Sequence, residues 1–226
     1  MDKKIIVEPT KVDLEALDPR WDWNRPIPAP GRMNVDFEER VDFRRLHNYR
    51  VERARQALRE SDLGAMLCFD NNNIRYLTSS VIGEWSRDKI CRYALFTGNS
   101  DPYLWDFGSA AAHHRLYNPW FENDHWRAGM LGLRGSVAED AGLFDNAAKE
   151  IADILRQEGV ADMPIGVDVL EPPMLFALQK QGLIVRDVQQ VMLNARQIKS
   201  MDEIIVILKR VKYFVSNILW LLFLKV

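Results

Sequence analysis

Ala65-Met66-Leu67-Cys68-Phe69, running into Asp70-Asn71-Asn72-Asn73 and then Ile74-Arg75-Tyr76-Leu77-Thr78, is the stretch on which the fold turns. A continuous apolar run that stops at a polar, turn-forming cluster predicts a strand buried on both faces, the habit of a strand inside a parallel sheet. Residues 74–78 then predict a short helical turn or a strand stub. Upstream, Leu46, Tyr49, Arg53, Ala57 and Leu58 mark one face of a helix over residues 39–60, which Asp62-Leu63-Gly64 closes. Downstream, Arg92–Thr97 and Tyr103–Phe107 predict a strand pair joined by Gly98-Asn99-Ser100-Asp101-Pro102.

The same alternation continues. A helix capped by Ser109 is expected to reach Leu116, and residues 117–136, rich in Asn, Trp and Gly, predict an elaborate loop. Phe144–Glu158 is amphipathic, with Phe144, Ala147, Ala148, Ile151, Ile154 and Leu155 inward, and Gly159 stops it. Ile165–Val169 predicts a strand, Pro172 opens a helix that Gly182 ends, Ile184–Val188 predicts another strand, and Val191–Ala195 a helical turn. Strands alternating with helices predict an α/β domain with a central, partly antiparallel sheet. Its expected bounds are 39–195, behind an extended arm at 1–38 carrying Trp21, Trp23 and Pro19, Pro26, Pro28 and Pro30. That arm reads either as a disordered leader or as a strap on a neighbouring surface, where tryptophan gains most from losing water.

Composition narrows the function classes. Among 226 residues, 47 % are hydrophobic and 27 % charged, as in an ordinary folded domain. The 30 Lys and Arg against 32 Asp and Glu leave a net charge of −2, so nucleic-acid binding is not expected. Arg40, Arg44, Arg45, Arg50, Arg53, Arg55 and Arg59 stud one helix, with Glu38, Glu39, Glu52 and Glu60 offsetting them, and predict a solvated face. His47, on the same helix, is expected to be solvated or salt-bridged. Cys68 and Cys91 lie in apolar runs without metal-ligand spacing and read as reduced core thiols of a cytoplasmic protein. The N-terminus has no apolar signal segment.

The chemistry-bearing residues are few. His113 and His114 are adjacent and point in different directions on a helix. Together with His125, Asp106 and Asp124 they make a poor metal set, and no metal ligand is assigned. Asp106 ends an apolar strand. It is expected to cap the Ser109 turn or to hold Arg75 or Arg92, with a substrate-facing role as the alternative. Asp168 reads as structural. Gly129, Gly132 and Gly135 lack the strand and the Lys-Ser/Thr pair of a phosphate cradle. No Ser-His-Asp or Cys-His set has supporting context, and no catalytic residue is assigned.

Asn73-Ile74-Arg75-Tyr76-Leu77-Thr78, taken with Ala195-Arg196-Gln197-Ile198-Lys199-Ser200-Met201-Asp202-Glu203-Ile204, resembles two motifs of the pita-bread superfamily of aminopeptidase P, prolidase, creatinase and the dimethylsulfoniopropionate lyases. The motif positions are Asn73, Ile74, Arg75, Tyr76 and Leu77 in the first, and Arg196, Lys199, Asp202 and Glu203 in the second. Gly83-Glu84-Trp85-Ser86 and Leu104-Trp105-Asp106-Phe107 look most like the lyase branch. The resemblance implies the creatinase/prolidase N-terminal fold, which is ribonuclease H-like, with a mixed central sheet and flanking helices. It also implies substrate-lining roles for Trp85 and Asp106, and an intact parent that is a homodimer acting on an X-Pro peptide or a small sulfonium acid. In such a parent two divalent metal ions sit in a C-terminal domain of Asp, Asp, His, Glu and Glu ligands, none of which is expected here. This chain is therefore expected to bind no cofactor and to be inactive alone. The alternative is a structural or interaction module with no enzymatic role.

Residues 196–210 read as a linker and the start of that next domain, but 211–226 depart from the family pattern. Ile218-Leu219-Trp220-Leu221-Leu222-Phe223-Leu224 is atypical, as from a truncated or frame-shifted reading frame, with a genuine alternative ending as the second reading. Lys209, Arg210 and Lys212 interrupt the apolar length a membrane span needs, so an interfacial or aggregation-prone tail is expected rather than a span.

Overall fold

The computed structural model describes residues 41–80, 90–108, 120 and 123–207. The arm at 1–38, Trp85, the Ser109 cap, His113, His114 and the tail at 211–226 lie outside the described residues.

Six strands form one mixed sheet. They are β1 (Ala65–Cys68), β2 (Tyr93–Phe96), β3 (Tyr103–Asp106), β4 (Trp126–Ala128), β5 (Ile165–Val167) and β6 (Val185–Asp187). Their order across the sheet is β4-β3-β2-β1-β5-β6. β1 pairs antiparallel with β2, and β2 with β3, while β1–β5, β5–β6 and β3–β4 are parallel. β1 is wholly buried at the centre, as its unbroken apolar run predicts.

Side-chain alternation along these strands divides the core in two. Ala65, Leu67, Tyr93, Leu95, Tyr103 and Trp105 point into one layer. Met66, Cys68, Ala94, Phe96 and Leu104 point into the other. The first layer is covered by α3 (Leu143–Gln157), whose inward face is the predicted one, and by Met174, Ala177 and Leu178 of α4 (Pro172–Lys180). The second is covered by α1 (Phe43–Arg59), α2 (Asn71–Thr78) and α5 (Gln189–Gln197). The result is a three-layer α/β/α arrangement of a mixed sheet and flanking helices. One glycine is demanded by packing: a Cβ on Gly166 of β5 would come within 2.5 Å of Leu63 and 2.8 Å of Val188.

Local chemistry explains the helix starts. Asp42 caps α1 by accepting the Arg45 amide at 2.9 Å, and Asp70 caps α2 by accepting the amides of Asn72 and Asn73. The expected turn or stub at 74–78 is thus a helix of two turns. Residues 117–136 contain more than a loop: β4 lies there as an edge strand, pairing Leu104 with Trp126. It is three residues long and only Trp126 is buried, too little alternation for a period to be read.

Candidate functional site

The two sequence motifs meet in space. They converge at the end of β1, where the chain enters α2. Three side chains stand out there: Asp168 fixes Asn73, and Asn73 and Tyr76 reach the second motif.

The first is Asp168, which directly follows β5. Because β5 runs parallel to β1, its carboxylate arrives beside the turn that leaves β1. One oxygen accepts the Phe69 amide at 2.8 Å and the Val169 amide at 2.6 Å. The other accepts the Asp70 amide at 3.1 Å and the Asn73 side-chain amide at 2.9 Å. A buried carboxylate with four donors is fully compensated for leaving water. Burial first, and then this carboxylate, push the neighbouring Cys68 thiol well above its ordinary range.

The second is Asn73. While its amide nitrogen binds Asp168, its carbonyl accepts the Arg196 guanidinium at 2.8 Å, across 123 positions of chain. The third is Tyr76, which donates its hydroxyl to the Ala195 carbonyl at 2.9 Å. Burial raises the Tyr76 pKa, keeping the phenol a donor. Ile74 and Leu77 are fully buried beneath, and Arg75 faces outward. Within the second motif, Lys199 donates back to the Arg196 carbonyl.

Helix α1 completes the joint. Arg45 grips Asp202 with two nitrogens, each 2.8 Å from a carboxylate oxygen. Arg50 lies over the Tyr76 ring, 5.5 Å from its centre, and donates to Glu203 at 2.9 Å. Tyr49 donates to the Ile198 carbonyl and Arg53 to the Asn194 carbonyl. Residues 201–207 are helical. Their start is a capping box: the Ser200 hydroxyl accepts the Glu203 amide and the Glu203 carboxylate accepts the Ser200 amide, both at 3.1 Å. Asp202 and Glu203 are buried, and the Arg45 hydrogen bonds hold the Asp202 pKa below the usual carboxylate range.

Two expectations are corrected here. The arginines of α1 are not merely a solvated face, because Arg45, Arg50 and Arg53 bind the segment 194–203 and Arg55 donates to the Gly98 carbonyl. Their charge pattern alone could not show where their partners lie. His47 is not solvated: it is 2 % exposed, stacked on Trp120 with ring centres 5.0 Å apart, and 3.0 Å from the Ser79 hydroxyl. Burial, aided by Arg50 and Arg44, lowers its pKa to about 3. The Ser200-to-Glu203 spacing is the sequence signal of a capping box, although none was expected there, whereas no local signal marks the partners of Asp168.

Of the two substrate-lining candidates, Trp85 is outside the described residues. Asp106 is 1 % exposed and paired with Arg92, which also donates to the Ser80 carbonyl and hydroxyl. Its other oxygen accepts the Phe107 amide. Of the two arginines offered as partners from sequence, the structure selects Arg92.

Among the described residues, no three His, Cys, Asp or Glu side chains cluster so as to hold a metal ion. His125 is buried against the Tyr103 ring, and the facing Asp124 oxygen is 4.0 Å away. The described donors therefore do not fit the two metals that the resemblance implies, and no chemical step is assigned to them. Nor is any described helix long and apolar enough to cross a membrane.

No family model matches the chain. It is 28 % identical over 169 residues to the dimethylsulfoniopropionate lyase DddP of Roseovarius nubinhibens, covering 73 % of this chain and 36 % of the relative. It is 27 % identical over 165 residues to DddP of Roseobacter denitrificans, covering 72 % and 36 %. The chain thus spans about a third of the length of the curated relatives it matches. A solved Xaa-Pro dipeptidase from Bacillus anthracis aligns with TM-score 0.49 and 15 % identity over 70 % of this chain and 38 % of that one. The fold is defined by its own sheet order rather than by that likeness. The resemblance first carried by two short motifs extends across most of the chain: it is similar to the DddP-like branch of the pita-bread superfamily.

Proposed function

We propose that this chain is the non-catalytic N-terminal portion of a DddP-like, pita-bread metalloenzyme, and that its task is to hold the polypeptide leaving residue 207 in a fixed direction. The observation that carries this reading is the convergence of the two motifs on Asn73 and Arg196, reinforced by Arg45 on Asp202 and Arg50 on Glu203. A joint so built transmits position: the helix at 201–207 is tied to α1, and the stretch before it to α2, through seven side chains. Its chemistry is anchoring, since its polar side chains are engaged with one another or with backbone carbonyls across the joint.

In this reading the parent is a homodimeric lyase acting on dimethylsulfoniopropionate. Its two divalent metals are held by residues outside those described, and Trp85 shapes the substrate site. The buried free thiols Cys68 and Cys91 suit the reducing cytoplasm.

Two assays test the proposal. The purified chain, supplied with divalent metals, is expected to release no dimethyl sulfide from dimethylsulfoniopropionate and to cleave no X-Pro peptide. Chelator-sensitive turnover of either would overturn it. Grafting residues 41–207 into the matching part of the Roseovarius DddP is expected to give a chimera that releases dimethyl sulfide. A chimera that folds yet releases none would remove the lyase branch from the reading.

A further inference from the structure

We draw no further inference here: the strongest candidate, the exposed apolar stripe of Ile198, Met201, Ile204 and Ile207 beside the junction clamp, carries nothing because nothing among the described residues shows what covers it.

Discussion

Asp168 and the Asp202–Glu203 pair both belong to the joint that contains the Asn73–Arg196 link, and they are held in opposite ways. Asp168 takes three of its four hydrogen bonds from backbone amides, which cannot move without unfolding the end of β1. Asp202 and Glu203 are equally buried but are held mainly by the long side chains of Arg45 and Arg50, the former 63 % exposed. One node belongs to the fold, and the other is a latch between elements. The difference teaches that burial of a carboxylate says little about its role until its donors are named: fixed donors make a keystone, mobile donors make a joint.

The largest effect is expected at the keystone. Asp168→Ala leaves the amides of Phe69 and Asp70 and the Asn73 side chain without their acceptor. It should cost about 3–5 kcal/mol, since each buried donor left unsatisfied costs about 1–3 kcal/mol. Urea unfolding of the full chain measures this, and a loss under about 1 kcal/mol would place Asp168 with ordinary surface acids.

Arg92 and Asp106 form a third buried pair, 3 % and 1 % exposed, that extends the comparison. Arg92→Met should cost about 3 kcal/mol, since it removes the cation paired with a buried carboxylate, while Arg92→Met combined with Asp106→Leu should recover most of that loss. Equal losses in the single and double variants would mean that the pair itself, rather than the charge left without its cation, decides the stability of the core.

A smaller and more local effect is expected at the latch. Arg50→Met removes a partly buried partner of Glu203 and should cost about 1–3 kcal/mol. Its signature is faster hydrogen exchange at residues 198–207 with β1 unchanged. Acceleration spread evenly over the sheet would show that the latch is as integral as Asp168.

The smallest effect is electrostatic. Arg45 lowers the folded pKa of Asp202, so this contribution is present above the ordinary carboxylate value and is lost as pH falls through the depressed one. The latch should therefore stay closed near neutrality and loosen only in acid, below about pH 4. An NMR titration of the Asp202 carboxyl should show a midpoint below the usual carboxylate range, returning toward it in Arg45→Met. An unchanged midpoint would sever the two residues energetically.

How much of this was legible in the sequence depended on range. The inward face of α3 could be read residue by residue, because helical spacing repeats within one element. The central strand β1 was legible from its unbroken apolar run, and Pro172 marked the start of α4. β4 was not, because a three-residue edge strand takes its identity from the neighbour it pairs with. The burial of His47 is hidden for the same reason: its sequence neighbours are arginines, but its spatial neighbours are Trp120 and Ser79. In the candidate site, Asn73, Tyr76, Arg196, Asp202 and Glu203 stood out as motif residues, yet what they bind did not.

The sequence by itself determined the periodic elements, the balanced charge and the two motifs, since each follows from local geometry or composition. Only the tertiary structure decided that the motifs are two halves of one joint. Its contacts join residues more than 100 positions apart, including Asn73 to Arg196 and Arg50 to Glu203. Such contacts exist because the parallel pairing of β1 with β5 brings Asp168 beside the start of α2, and because α1 and α5 cover the same face of the sheet. No local pattern encodes that proximity.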